Sequence, residues 1–223
     1  MDSWAHIAYN KKNGYLYITS EAWGRLYRLN PYHTPAGHST PWITQNEIEH
    51  IVGTGKGAAK EGNGKAAQLG EIEGMAADQE GNVYVLLGDE SRLLVLEPDG
   101  TFQAELTIIG SDGAALDFTG ARGIYADASG IYLADTENGR VVQLDKSGRM
   151  QKQLLIPESS LIPEGFLYRP MKVTRDRDGY LYVLSEGSYY GAILYSPEGA
   201  FSGFFGANRV TATLSTFLDE FFD

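Results

Sequence analysis

Short apolar runs alternate with breaks rich in Gly, Asp and Ser along almost the whole chain, and the breaks return at regular intervals. Between residues 74 and 109 the runs are Gly74–Asp78, Val83–Leu87, Leu93–Glu97 and Phe102–Ile109, with Pro98-Asp99-Gly100 separating the last two. Runs of this length bounded by turn residues predict β-strands. A Pro-Asp-Gly stretch predicts a tight reversal between two of them. The next stretch repeats the design as Ile124–Asp127, Ile131–Ala134, Val141–Leu144 and Met150–Ile156, turning at Lys146-Ser147-Gly148. A further copy reads Val173–Arg175, Tyr180–Leu184, Ala192–Tyr195 and Phe201–Phe205, turning at Pro197-Glu198-Gly199. The first copy reads Trp4–Tyr9, Tyr15–Thr19, Leu26–Leu29 and Ile48–Val52.

The copies keep a period. Asp78, Asp127 and Asp176 stand 49 residues apart and open the phrases that lead into Gly81-Asn82-Val83-Tyr84, Gly130-Ile131-Tyr132 and Gly179-Tyr180-Leu181-Tyr182. Asn13-Gly14-Tyr15-Leu16-Tyr17 is the earlier version, and its unit is longer because of a Pro-, His- and Thr-rich segment around Tyr32–Asn46. Four-stranded units on such a period bury their faces only against the next unit, which predicts radial blades around a channel. The expected fold is therefore all-β: a propeller with four visible blades over residues 1–206, either a small or open array or a fragment of a five- or six-blade ring. Four units leave too little chain to close six blades. An open array would expose the outer faces of blades one and four, including Trp4, Ile7 and Phe204, and favour self-association or a longer parent chain. Residues 207–223 read as a linker and a short amphipathic helix, with Leu214, Phe217, Leu218, Phe221 and Phe222 at helical spacing. Docking under the propeller and leading into a missing downstream domain both fit this helix, whereas its acidic polar positions argue against a membrane surface.

An Arg follows the second-strand Tyr by eight residues in three units: Arg25, Arg92 and Arg140. Together with Asp78, Asp127 and Asp176 these are expected to be structural, the arginines tying each hairpin to its neighbour through charge-assisted hydrogen bonds.

Charge narrows the partners. The formal net charge is −11. Residues 1–70 hold seven Lys/Arg against five Asp/Glu, whereas residues 71–223 hold eleven against twenty-four. The repeat array is thus the acidic part, which argues against nucleic acid as a partner. The absence of cysteine removes disulfides, thiolate metal sites and cysteine nucleophiles. No apolar run is long enough to span a bilayer, and the chain reads as soluble.

The phrase Arg122-Gly123-Ile124-Tyr125-Ala126-Asp127, continued by Gly130-Ile131-Tyr132-Leu133-Ala134-Asp135-Thr136-Glu137-Asn138-Gly139-Arg140, resembles an NHL repeat. Residues 51–78 resemble the Gly-rich lead-in of bacterial NHL repeats, and the resemblance extends from residue 4 to about 206. Phe204–Val210 further resembles the end of a blade in bacterial envelope proteins that carry a Yip-type membrane domain, which would imply an extracytoplasmic setting. The resemblance implies six blades, sometimes five, whereas four are legible here. Related propellers include metal-dependent lactonases, whose ligands come from several blades; no such set can be mapped onto the repeated turn residues here.

Gly53-Thr54-Gly55-Lys56-Gly57 fails the phosphate-loop pattern, since Gly64-Lys65 is followed by Ala66, and it reads as a loop between blades. His6, His33, His38 and His50 read as surface histidines, with no carboxylate in Tyr32–Gln45 to complete a zinc set. The loops between second and third strands are the better candidates, because loops on a rigid scaffold are where function concentrates. They bring Glu21 and Trp23, Asp89 and Glu90, Asp135 and Glu137, and Glu186, Tyr189 and Tyr190 to one face. Turn chemistry alone accounts for such residues. Read functionally, they form an acidic, aromatic-edged surface for a cationic peptide, a sugar or Ca²⁺. The expected function is a non-catalytic scaffold binding a protein, peptide or small ligand, without a cofactor. The competing class is a metal-dependent hydrolase of lactonase type, or a lyase.

Overall fold

The computed structural model describes residues 6–20, 24–34, 36–37, 39, 48–54, 65, 67, 69–188 and 190–206. Each predicted run becomes a strand. Blade one holds β1 (Ile7–Tyr9), β2 (Leu16–Ser20), β3 (Arg25–Leu29) and β4 (Glu49–Val52). Blade two holds β5 (Gly74–Ala77), β6 (Val83–Leu87), β7 (Arg92–Leu96) and β8 (Phe102–Glu105). Blade three holds β9 (Gly123–Asp127), β10 (Gly130–Asp135), β11 (Arg140–Leu144) and β12 (Met150–Leu154). Blade four holds β13 (Pro170–Arg175), β14 (Leu181–Ser185), β15 (Ala192–Tyr195) and β16 (Phe201–Phe205). Each blade is a separate antiparallel sheet in sequence order, and the inner strands β1, β5, β9 and β13 pack in succession around a common channel as a four-blade β-propeller. Trp4, the 213–223 helix and the segment 40–47 lie outside the described residues.

The repeated turn Asp explains why the hairpins form. Asp78 Oδ1 accepts hydrogen bonds from the Gly81 and Asn82 amides, and its Oδ2 accepts from the Tyr84 hydroxyl at 2.9 Å. Asp176 does the same with the Asp178 and Tyr180 amides and the Tyr182 hydroxyl. In blade three Asp127 holds Ser129, whose hydroxyl meets Tyr132. One carboxylate thus fixes the first turn and anchors the second-strand Tyr.

Strand alternation then gives each sheet two apolar faces. The face that carries Tyr17, Tyr84 or Tyr132 points forward, to the next blade; the other points to the rear. Tyr17 and Leu26 of blade one meet Met75, Val83, Val85 and Leu94 of blade two. Tyr84, Leu86 and Leu93 meet Ile131, Leu133 and Val142. Tyr132, Ala134, Val141 and Leu154 meet Val173, Leu181, Val183 and Ile193. Every side chain of this size that is fully withdrawn from water contributes about 1.5–3 kcal/mol, so these three joints dominate stability. The turn at Gly148 fits against blade two: its φ is +86° and a Cβ there would stand 2.8 Å from the Thr107 carbonyl oxygen.

Among the described residues no fourth core joins blade four to blade one. Ile7 and Tyr9 at the rear of blade one are 63% and 42% exposed, and Leu184 and Phe205 at the front of blade four are 47% and 60% exposed. Phe204, expected on the outside, instead packs on the core between blades three and four because alternation places it on the rear face.

Candidate functional site

The loops between second and third strands and the connections between blades share one end of the propeller. The four residues that immediately precede the first strands, His6, Glu73, Arg122 and Arg169, line up at that end.

Arginines from the connections reach the acidic loops. Arg122, ahead of blade three, pairs with the buried Glu73 of blade two and with Asp89 at 3.2 Å. Glu137 lies within electrostatic reach of Arg122. Arg169, ahead of blade four, grips Glu137 of blade three with both terminal nitrogens, Nη1 to Oε2 at 3.0 Å and Nη2 to Oε1 at 2.6 Å. Its Nε donates to Glu186 Oε2 at 2.8 Å. The two-pronged geometry is the strong form of such a pair. The result is a chain of alternating charge, Glu73/Asp89–Arg122–Glu137–Arg169–Glu186, crossing three blades. Glu137 is held below its usual carboxylate range, first by the hydrogen bonds from Arg169.

The other predicted residues divide. Glu90 pairs with Arg92 at 3.0 Å, and Arg92 also reaches Glu105 at 2.7 Å. Asp135 has no solvent exposure: Arg140 Nε donates to it at 2.7 Å and Asn138 Nδ2 at 2.8 Å. Asp135 therefore belongs to the interior of the loop and not to its surface. Arg25 donates to the Thr54 carbonyl. Arg92 thus pairs within its own blade, Arg25 reaches the connection toward blade two, and Arg140 also donates to the Asp117 carbonyl in the connection from blade two at 3.4 Å. Tyr190 is 48% exposed. Glu21, Trp23 and Tyr189 lie outside the described residues.

Beside Arg169 and Glu186 a shallow cavity of about 550 Å³ is lined by Phe166, Leu167, Tyr190 and Pro163. Leu167 is 68% exposed there. Its apolar wall adjoins the ionic chain, so one surface offers both a charged and a hydrophobic contact.

At the opposite end, Tyr9, Ala77, Tyr125, Asp127, Arg175 and Asp176 from the four inner strands surround a channel mouth of about 410 Å³. Asp78, Asp127 and Asp176 lie here as turn residues. Arg175 Nη1 pairs with Asp127 Oδ2 at 3.1 Å, joining blades three and four. Burial would push the Asp78 carboxyl up, but hydrogen bonds from Lys146, Asn82 and Tyr84 outweigh it and hold it at about 2.

Two histidines depart from the surface reading. His6 sits half-buried at the inner edge of blade one, where burial and the nearby Lys172 lower its pKa to about 4. His50 Nε2 lies 2.7 Å from the Gly53 carbonyl oxygen. Among the described residues, Glu71, Glu73 and Asp89 bring carboxylate oxygens within 4.8 Å of one another. Arg122 already supplies a counter-charge to two of them.

Arg122, Arg169 and Glu73 were not singled out in the sequence. Periodicity highlights residues that repeat in kind at a fixed spacing, whereas this position holds His6, Glu73, Arg122 and Arg169, and its two arginines stand 47 residues apart, off the 49-residue period. The signal that could have found them is a charged residue immediately before each first strand.

No family model matches the chain, and no curated protein matches it. Solved structures do resemble it. The nidogen/laminin complex matches with a TM-score of 0.57 and 18% identity over 87% of this chain and 61% of that one. Hydrazine synthase of Kuenenia stuttgartiensis matches at 0.54 and 13% identity, over 88% and 47%. Virginiamycin B lyase of Staphylococcus aureus matches at 0.50 and 14% identity, over 95% and 58%. The chain thus spans between about half and three-fifths of the length of these structures. They show the propeller fold.

Proposed function

We propose that the protein is a non-catalytic propeller of NHL type that binds a cationic segment of a protein or peptide on its loop face. The NHL assignment rests on the Arg122–Asp127 and Gly130–Arg140 phrases. The observation that carries the binding reading is the ionic chain beside the cavity at Phe166, Leu167 and Tyr190. Glu71, Asp89, Glu137 and Glu186 at the surface, with the buried Glu73 beneath them, outnumber Arg122, Arg169 and Lys172, so the surface keeps a negative surplus despite its internal pairing. That surplus attracts basic groups, while Leu167 and Tyr190 give an apolar anchor of the kind that concentrates binding energy.

The test uses a fluorescent octapeptide alternating Lys and Phe, titrated by anisotropy against the full chain. Affinity should fall severalfold when salt rises from 20 to 200 mM, because exposed charges are screened beyond about 10 Å at 0.1 M. Glu137→Gln with Glu186→Gln should weaken binding further, and Leu167→Ser should do so without altering the salt dependence. A peptide that binds equally well to all these variants would end the proposal.

A further inference from the structure

The joint between successive blades is made three times within the chain, always from a forward face to a rear face. Among the described residues, two faces of the same pattern are left over. On blade four the register places Tyr182 beside Leu194, and Ala192 beside Phe205, with the Tyr182 and Phe205 rings edge to face at 5.1 Å. The corresponding residues of blade three, Tyr132, Val141 and Leu154, are at most 5% exposed because blade four covers them. Leu184 stands where blade three has the fully buried Ala134.

The rear of blade one is the matching half. Ile7, Ile18 and Tyr27 lie in one row across the sheet, and Tyr9, Leu16 and Leu29 in the next. Their equivalents on blade two are Met75, Val85 and Leu94, and Ala77, Val83 and Leu96. Five of those six are nearly or fully buried against blade one, whereas of the six on blade one Leu29 alone is buried, Leu16, Ile18 and Tyr27 are partly exposed, and Ile7 and Tyr9 are open to water.

We propose that the front of blade four receives the rear of blade one from a second copy of the chain, head to tail. What points to a second copy is that the two uncovered faces are the two halves of one joint. Each face has the alternation that the interior faces have, and the complement of each lies on the other end of the same molecule. A heterologous pairing of this kind uses two different patches, so it leaves one free face at each end of a dimer and can extend.

Sedimentation velocity on the full chain between 1 and 100 µM reads the outcome. The wild type should show mass rising with concentration. Ile7→Glu and Phe205→Glu should each weaken association at least tenfold, since either puts a charge into the joint, and the exposure of both positions leaves the fold intact by circular dichroism. The mixture is decisive. Ile7→Glu keeps a sound front face and Phe205→Glu a sound rear face, so together they should form a one-to-one dimer and stop there. A wild type that stays monomeric to 100 µM would overturn the proposal. So would a dimer that either single variant leaves intact, or a mixture that fails to pair.

Discussion

Arg169 and Glu137 belong to different blades, and the guanidinium of one clasps the carboxylate of the other at 2.6 and 3.0 Å across the seam between them. The same arginine turns its Nε to Glu186 of its own blade. A single side chain thereby holds two candidate ligand-binding carboxylates in reserve.

Replacing Arg169 with Gln should free both carboxylates for a basic ligand. Anisotropy with the Lys-Phe octapeptide is expected to show severalfold tighter binding at 20 mM salt and a steeper loss as salt rises. Unchanged affinity would mean that the clasped carboxylates do not face the ligand.

The pair Arg140–Asp135 should behave as structure. Asp135 is fully buried, and removing one partner of a buried ion pair leaves an uncompensated charge that costs about 3–5 kcal/mol. Arg140→Ala is expected to lower the urea midpoint strongly, whereas Arg140→Ala combined with Asp135→Ala should recover part of the loss. Peptide affinity measured on the folded fraction should stay as in the wild type.

His6 gives the fold a dependence on mild acid. Its folded pKa of about 4 lies below the ordinary 6.5, so the unfolded chain takes up the proton first. The contribution is fully present above pH 6.5 and is lost as pH falls toward 4. Allowing for partial solvent screening, about 1 kcal/mol is at stake. His6→Gln should flatten the stability curve across that window in chemical denaturation, and an unchanged slope would contradict the placement of the ring.

Gly148 combines a left-handed backbone with close approach to the Thr107 carbonyl oxygen. Gly148→Ala is expected to cost about 2 kcal/mol, part from the positive φ and part from the displaced seam. A thermal scan showing no loss would argue that blades two and three can separate slightly at that corner.

Most of the fold could be read before any coordinates. Val83–Leu87, Ala192–Tyr195 and Phe201–Phe205 fall where the apolar runs put them, and other strand ends shift by a few residues. The cause is that turn chemistry at Asp78, Asp127 and Asp176 sets register locally. Charge pairing was less legible. Asp89, Glu137 and Glu186 read as free surface carboxylates because their partners, Arg122 and Arg169, come from connections that share no wording. The burial of Asp135 was hidden for a related reason: Arg140, five residues on, folds back onto it only once the hairpin exists. Phe204 and Phe205 show the limit of reading faces without register, since the bulge between Leu194 and Tyr195 decides which ring turns outward.

In blades two, three and four the corner between third and fourth strands is a tight turn, Pro98-Asp99-Gly100, Lys146-Ser147-Gly148 and Pro197-Glu198-Gly199. Gly100 and Gly148 are each pressed against the blade before them. Blade one has no earlier blade within the chain, and its sequence runs from Asn30 to Ile48 between the same two strands. That corner is accordingly where a fluorescent reporter or an affinity tag can be spliced into the protein without prising apart any of the three seams made within the chain.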